Sequence, residues 1–163
     1  MELNVVRADI TTLEVDVIVN AASSRMRGGG GVDGAVHAAA GPALLAECIA
    51  RFPDGLATGD AGWTHGYQLP ARWVIHVVGP DRRAGQNDPR LLESCYTRAL
   101  AVADELGASS VASPLVSAGI YRWPLDEAAA IAVTSVRAAH TTVTSVTFAA
   151  FGEAAYQALS AQL

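Results

Sequence analysis

Four consecutive glycines, Gly28 to Gly31, stand between the apolar run VDVIVN and the segment VDGAVHAAAG, which has the composition of a helix. Glycine loses more conformational freedom on folding than any other residue, so a run of four indicates a backbone that must come very close to another group. A glycine loop leading into a helix N-terminus presents free N–H groups at the positive end of the helix dipole. The pattern therefore predicts a phosphate-binding loop.

Asp33 is the ionisable residue next to this loop, and two roles are open for it. It can act as the N-cap of a helix that we predict to begin at Gly34, because Asp is a favoured cap. It can also orient or activate a water molecule at the end of the phosphate loop. His37 lies four residues later and is expected to share a helix face with Asp33, with a hydrogen bond to nearby backbone as its plainer role.

A second loop, SPLVSAGIYRWP, follows a predicted strand and precedes a predicted helix, as the glycine loop does. It supplies Ser117, Gly119 and several backbone N–H groups. Ligands of layered α/β folds bind at the carboxyl ends of strands. We therefore expect the two loops to close on one diphosphate from opposite sides.

Other phosphate and nucleophile motifs fit the chain less well. GGGVDG satisfies G-x-G-x-x-G, but seven residues separate the end of the predicted strand at Asn20 from Gly28, the first glycine of the run. A dinucleotide site also needs an acidic residue at the end of the next strand, and Asp54 lies in a turn instead. The chain has no lysine, which excludes a Walker A loop and Schiff-base chemistry. Leu115 replaces the first glycine of a nucleophile elbow in LVSAG. The four histidines have no metal-ligand spacing with either cysteine, so we expect no metal and no cofactor.

Composition narrows the class of protein further. The chain has 163 residues, enough for one domain with a proper core, a net charge of −5 and eleven arginines without a basic run. This disfavours nonspecific nucleic-acid binding. Its apolar runs are far shorter than the ~20 residues of a membrane helix, and its start lacks the features of a secretory signal. Cys48 and Cys95 are expected to be buried free thiols in a reducing compartment, so a cytoplasmic location is predicted.

Apolar, β-branched runs bounded by turn residues predict strands, and periodic segments with start and stop signals predict helices. The alternation of the two predicts an α/β layered sandwich with a mixed sheet. The predicted strands are Glu2–Arg7, Val15–Asn20, Gly62–Tyr67, Trp73–Val78, Ser110–Ser113 and Ser145–Phe148, and the predicted helices are Gly34–Ala40, Pro42–Phe52, Pro89–Leu106, Leu125–His140 and Glu153–Gln162.

Taken together, the segments ADIT, IVNAAS, GGGGVDGAVHAAAG, GYQLPARWVIHVVGP, LLESCY, SPLVSAGIYRWP and VTFAAF resemble the macrodomain family, specifically its MacroD-type branch, in order and spacing across essentially the whole chain. The resemblance implies a three-layer α/β/α sandwich around a central mixed six-stranded sheet, with residues 1–163 as a single macrodomain. Such proteins bind ADP-ribose, and many hydrolyse ADP-ribosyl esters.

The resemblance also implies roles for individual residues. Asp9, with a turn role as the alternative, and the backbone of Ile10 would contact adenine. Phe151 would stack on the adenine ring, unless it is a core aromatic that closes the last strand. Asn20 would stand near the distal ribose and Asp33 would orient the attacking water. The diphosphate would be held by two runs of residues, in which Tyr121 also walls the distal ribose: Gly28, Gly29, Gly30, Gly31 and Val32, and Ser117, Ala118, Gly119, Ile120 and Tyr121.

Departures from the family pattern fall at the same site. The family usually has asparagine where Ser23 stands, and that side chain helps to hold the distal ribose near the water. Because serine is shorter and lacks the amide, we expect ligand binding to be kept and the rate of hydrolysis to be affected. Glycine is usual where Arg122 stands, and an arginine there leans over the phosphate or narrows the distal pocket. Ala8 replaces a common glycine, which is a milder change.

The function expected from the resemblance is hydrolysis of mono-ADP-ribosylated Asp or Glu, or deacetylation of O-acetyl-ADP-ribose, with Asp33, Ser23 and Asn20 at the reaction centre. Two alternatives stay open: a module that reads ADP-ribose without turning it over, for which Ser23 is the argument, and a phosphatase acting on the phosphate end of an ADP-ribose phosphate. The expected partners are ADP-ribose and ADP-ribosylated proteins, with no nucleic acid and no membrane, and the expected state is a monomer.

Overall fold

The computed structural model describes every residue from Met1 to Leu163. It contains six strands and five α-helices, with short 3-10 turns at Ile10–Thr12 and Arg82–Ala84. The strands are β1 (Glu2–Arg7), β2 (Val17–Ala21), β3 (Ala61–His65), β4 (Trp73–Val77), β5 (Ser110–Ser113) and β6 (Ser145–Ala150). The helices are α1 (Gly31–Ala40), α2 (Pro42–Arg51), α3 (Pro89–Leu106), α4 (Leu125–Ala138) and α5 (Glu153–Ser160).

All six strands join one sheet in the order β1-β6-β5-β2-β4-β3. Every neighbouring pair is parallel except β3 and β4, which run antiparallel, so the predicted mixed six-stranded sheet is confirmed. Because five strands point the same way, their carboxyl ends meet at one edge of the sheet. The loops that follow β1, β6, β5, β2 and β4 therefore all open onto that edge.

Alternate residues of the central strands pack on opposite faces of the sheet, as the two-residue period of a strand requires. Val17 and Val19 of β2 join the core beneath α3, α4 and α5, whereas Ile18 joins a second core beneath α1 and α2. All three side chains are at most 2% exposed, and burying a side chain of this size contributes about 1.5–3 kcal/mol. The three-layer sandwich is confirmed.

Two boundary differences have a local physical cause. Strand β2 begins at Val17 rather than Val15, because Asp16 is held in a turn: its carboxylate accepts from the Ser109 N–H at 2.8 Å, and its own N–H donates to the Ser110 hydroxyl at 2.8 Å. Strand β6 runs on to Ala150, since its pairing with β1 continues to Arg7. Other ends shift by one or two residues from the prediction, namely those of β2 (at Ala21), β3, β4 (at Val77), α2, α4 and α5.

The start of α1 differs in a way that concerns the site. The helix begins at Gly31 with Gly30 as its N-cap, so Asp33 lies within the first turn and the prediction that it caps a helix beginning at Gly34 is wrong. Its carboxylate still faces the positive end of the helix dipole, which favours negative charge there. Both cysteines are buried and free, as predicted. No helix has the length and apolar character needed to cross a membrane.

Candidate functional site

The predicted site residues lie on loops at the carboxyl edge of the sheet. Asp9 follows β1, Phe151 follows β6, the Ser117–Arg122 segment follows β5 and the tetraglycine segment follows β2. From β1 to β2 there are three strand spacings, or about 14 Å. The loops thus offer a row of contacts to an elongated ligand that lies across the strand ends.

The tetraglycine segment, Gly28–Gly31, adopts backbone conformations that glycine permits. Gly28 and Gly31 have φ of +85° and +58°. The N–H groups of the three residues before the helix, Gly28–Gly30, donate to no acceptor within the protein, and no side chain caps α1. The first N–H groups of the helix lack intrahelical acceptors as well. This segment therefore presents a set of unpaired donors of the kind that binds phosphate.

The second loop, Ser117–Arg122, touches the tetraglycine segment. The Cδ1 atom of Ile120 lies 3.9 and 3.8 Å from the positions that a Cβ would take at Gly30 and Gly31. The four consecutive N–H groups from Ala118 to Tyr121 donate to no acceptor in the protein. Unpaired donors therefore occupy both of two loops that are in contact.

The second loop is brought to this position by a close approach at its base. A Cβ at Gly79, just beyond β4, would lie 2.3 Å from the Ser117 hydroxyl oxygen and 2.7 Å from the Val116 side chain, so only glycine fits there. Ser117 itself has φ of +67°, and its buried hydroxyl has no hydrogen-bond partner. The loop is thus held in a conformation that costs free energy, which is common at ligand sites.

Asp33 is buried to 4% exposure beneath the tetraglycine segment. Its Oδ1 atom accepts from Asn20 Nδ2 at 2.8 Å and lies 3.4 Å from His37 Nε2. Its Oδ2 atom is 3.2 Å from the position that a Cβ would take at Gly29. One carboxylate oxygen is therefore tethered and the other faces the glycine backbone. The shared helix face of Asp33 and His37 is confirmed, and the imidazole contacts the carboxylate rather than the backbone.

Ser23 does not join this cluster. Its hydroxyl is half-buried and lies 3.4 Å from the Gly28 carbonyl oxygen, a long hydrogen bond, with no contact to the carboxylate of Asp33. The structure brings Asn20 and Asp33 together and places Ser23 beside the first glycine of the loop. The hydroxyl therefore lies where it supports the loop backbone.

A row of buried polar groups that was not predicted from the sequence lies behind Asn20. The Asn20 Nδ2 atom is 3.1 Å from His76 Nδ1, and His76 Nε2 is 2.9 Å from the Thr64 hydroxyl and 3.9 Å from Cys48 Sγ. Burial, with the neighbouring His37 as a smaller cause, lowers the pKa of His76 to about 3, so its imidazole is neutral. His76 was predicted to be a buried strand residue with a satisfied ring, which is confirmed. The signal in the sequence was the presence of Asn20 and His76, two polar residues, in the apolar runs VDVIVN and WVIHVV that predict buried strands.

The opposite end of the row combines a carboxylate with an exposed aromatic ring. The Oδ1 atom of Asp9 accepts from the Thr11 hydroxyl at 2.7 Å and from the Thr11 N–H at 3.0 Å, and these bonds hold the pKa of Asp9 below its usual value. The turn role is thus present, and Oδ2 stays without a protein partner. Phe151 is 97% exposed, so it is not a core aromatic. Since β1 and β6 pair up to Arg7 and Ala150, the two residues lie on adjacent loops.

Arginines surround the other end of the second loop. The Tyr121 carbonyl accepts from the Arg82 N–H at 3.0 Å, and the Arg83 guanidinium lies 5.4 Å from the Tyr121 ring centroid. Arg122 is exposed at φ +62°, and its side chain makes no hydrogen bond or ion pair. No three His, Cys, Asp or Glu side chains come together as a metal-binding group. Arg82 and Arg83 are paired with Glu127 and Asp81, so the ring of Tyr121 and the unpaired guanidinium of Arg122 distinguish this end of the site.

Comparison with known proteins gives one consistent result. The sequence profile described as "Macro domain" matches residues 19–132. A macro domain-containing protein of Streptomyces coelicolor is 50% identical over 165 residues, covering 99% of this chain and 98% of that protein. A macrodomain of Oceanobacillus iheyensis with ADP superimposes with a TM-score of 0.92 at 38% identity, covering 98% of this chain and 88% of that one. A Trypanosoma brucei macrodomain in complex with ADP-ribose gives a TM-score of 0.90 at 39% identity, covering 98% and 68%.

Proposed function

Since this chain belongs to the macro domain family, we propose that it binds ADP-ribose across the carboxyl edge of its sheet and hydrolyses the ester that links ADP-ribose to an acidic side chain or to an acetyl group. The adenine lies against Phe151 with Asp9 beside it, and the diphosphate lies between the two glycine-containing loops. The distal ribose lies between Tyr121 and Asp33. The residues taken as ligand-binding are those that the sequence predicted.

One observation carries the binding proposal: two neighbouring loops at the same edge of the sheet both have runs of unpaired N–H groups. A diphosphate can accept hydrogen bonds from both loops at once, and each charge-assisted bond contributes about 1.5–3 kcal/mol. The exposed ring of Phe151 supports the adenine end, because a base stacked on an aromatic side chain gains about 1–3 kcal/mol. Solved relatives with ADP and with ADP-ribose have the same fold over 98% of this chain.

The asymmetric surroundings of the Asp33 carboxylate support the catalytic proposal. Asn20 and His37 contact Oδ1, while Oδ2 faces the glycine backbone. In the proposed reaction, Oδ2 accepts a hydrogen bond from a water molecule and directs its oxygen at the ester of the distal ribose. The water oxygen bonds to the acyl carbon of the ester, and the bond between that carbon and the ribose oxygen breaks. The ribose oxygen takes up one proton of the water to give ADP-ribose, and the carboxylic acid that forms ionises to the solvent. All of these groups belong to the protein backbone and side chains, so the proposed step uses no metal.

The position of Ser23 favours a second candidate function, a module that binds ADP-ribose without hydrolysing it. Its hydroxyl lies beside the Gly28 carbonyl oxygen and makes no contact with Asp33. A side chain that does not reach the reaction centre leaves the distal ribose with fewer restraints. A reader module and a hydrolase share the same binding contacts and differ in turnover alone.

Release of labelled ADP-ribose from a glutamate-linked mono-ADP-ribosylated protein tests the proposal. The native protein should release the label, and Asp33→Ala should slow single-turnover release by about 100-fold or more, the low end of a general-base contribution. Calorimetry with ADP-ribose serves as the control on folding and binding, because the Asp33 carboxylate accepts no hydrogen bond from the backbone of either loop. If the native protein binds tightly and releases no label, the reader module is the correct function.

A further inference from the structure

The side-chain amide of Asn20 has a defined orientation in the core. Its Nδ2 atom lies within hydrogen-bond distance of two groups, Asp33 Oδ1 at 2.8 Å and His76 Nδ1 at 3.1 Å, whereas its Oδ1 atom is buried and has no partner at all. A buried polar atom without a partner costs about 1–3 kcal/mol. The amide thus leaves its oxygen unpaired and places both of its N–H hydrogens on two specific acceptors.

The protonation of His76 follows from these contacts. An amide NH2 group only donates, so the Nδ1 atom that faces it must be unprotonated and must accept. A neutral imidazole then carries its proton on Nε2, where the Thr64 hydroxyl oxygen is 2.9 Å away and accepts it. The opposite tautomer would set the Nδ1 hydrogen against the NH2 group of Asn20. A hydroxyl can donate or accept, so Thr64 fits this tautomer and holds the ring in place, while the Asn20 NH2 group is what requires Nδ1 to be unprotonated.

Because of this amide orientation, the two carboxylate oxygens of Asp33 have different surroundings. Asn20 donates to Oδ1, which leaves Oδ2 toward the backbone of Gly29. If the amide rotated by half a turn, its oxygen would face Oδ1, and two acceptors in a buried site repel each other. The Asp33 carboxylate would then lose the hydrogen bond from Asn20 that fixes its orientation.

We propose that His76 is a positioning residue: by accepting at Nδ1 from Asn20 it locks the amide that holds Asp33, and Thr64 locks His76 in turn. This proposal rests on the hydrolytic role proposed above for Asp33, and it adds a support that lies wholly inside the sheet. Asn20 and His76 are directly opposite each other on β2 and β4, and Thr64 lies on β3, so each residue is carried by a strand. Residues on strands hold a reacting group more accurately than residues on loops.

Kinetics of matched variants give the first test. His76→Leu replaces the imidazole with an apolar side chain of similar size and so removes the acceptor. We expect kcat to fall about 30-fold to 100-fold, because the reacting group is misplaced, with KM changed by less than about threefold. His76→Asn restores an acceptor near the Nδ1 position, and we expect it to recover to within about fivefold of the native kcat. Thr64→Val should lose about fivefold. Ile75→Val, a buried neighbour outside the polar row, is the control for destabilisation and should keep native kinetics.

Nuclear magnetic resonance gives a second test that does not depend on turnover. Long-range proton–nitrogen spectra of the native protein should show His76 with Nδ1 unprotonated and Nε2 protonated. The carboxyl carbon resonance of Asp33 should shift in Asn20→Ala, and it should shift in the same direction in His76→Leu and Thr64→Val. If the native protein is inactive, the hydrolase proposal fails and these spectra still decide the positioning role. A proton on Nδ1, an Asp33 resonance unmoved by His76→Leu, or native kcat in that variant would overturn the inference.

Discussion

A carboxylate placed at Gly119 is expected to abolish ADP-ribose binding while the protein stays folded. Nothing lies within 4 Å of a Cβ added at this residue, and its φ is outside the left-handed region, so a side chain costs neither a clash nor backbone strain. Gly119 also lies between the unpaired N–H groups of Ala118 and Ile120, where the proposed diphosphate binds. Gly119→Glu therefore introduces negative charge into the anion site alone.

The size of the effect follows from electrostatics. Two unit charges about 6 Å apart at an effective dielectric constant of about 20 repel by about 2.8 kcal/mol, which lowers affinity about 100-fold for one phosphate charge. The second phosphate adds to this, and the bulk of the side chain displaces the ligand from the N–H donors. We expect a combined loss of about 1,000-fold, which calorimetry would record as no measurable binding for a ligand of micromolar affinity.

Calorimetry with ADP-ribose and with AMP, at two salt concentrations, checks this prediction. Gly119→Gln is the matched control, because it has the same shape without the charge, and it should lose clearly less affinity than Gly119→Glu. AMP lacks the second phosphate and should bind the native protein much more weakly than ADP-ribose. Equal loss in the two variants would mean that bulk rather than charge matters. A folded Gly119→Glu protein that keeps native affinity would refute the two-loop site.

Four further outcomes are expected. Ser23→Asn should raise the single-turnover rate of ester hydrolysis while changing ADP-ribose affinity little, and a lower rate would show that serine suits this protein's substrate. Hydrolysis should persist in EDTA, and loss of turnover that one added metal restores would contradict the proposed mechanism. Arg122→Gly should raise the free energy of unfolding in urea by about 1 kcal/mol, because glycine relieves a left-handed backbone at φ +62°, and an unchanged midpoint would count against this. Desolvation raises the pKa of Glu47, but hydrogen bonds led by those from His65 and Tyr67 outweigh it and lower the pKa to about 2. Glu47 therefore stabilises the fold by at most about 3 kcal/mol at pH values above its unfolded pKa near 4.5, and this stabilisation is lost as the pH falls toward 2. In Glu47→Gln the free energy of unfolding should depend less on pH over that window.

The sequence predicted the sheet and its loops because their signals are local. Apolar runs such as WVIHVV mark buried strands, and glycine and proline mark the turns after them, so the element order was confirmed. The helix boundary at the site failed for a physical reason. Glycine is a poor helix former, which placed the predicted start of α1 after the glycines, yet Gly31 enters the helix as its first residue. Asp33 thereby moves from a capping position into the first turn.

Contacts between distant strands were beyond local signals. The pairing of Asn20 with His76 depends on the register of β2 against β4, and the packing of Gly79 on Ser117 depends on where the second loop leaves β5. Nothing in the spacing of these residues fixes which strands are neighbours. The resemblance to the family supplied the residues of the site, while their hydrogen-bond partners came from the structure.

The order of strands also has a consequence for how the protein is made. Strand β6 comes last along the chain but lies between β1 and β5, so β1 has no partner in the sheet until Ser145–Ala150 has been synthesised. The partners of β2, by contrast, are β4 and β5, and both precede β6 in the chain.

The proposed adenine end of the site therefore depends on the final strand. A chain that ended before Ser145 would lack β6 and Phe151 and would leave β1, which is followed by Asp9, without a partner strand. The neighbours of β2, which leads to the glycine loop and Asp33, would all be present.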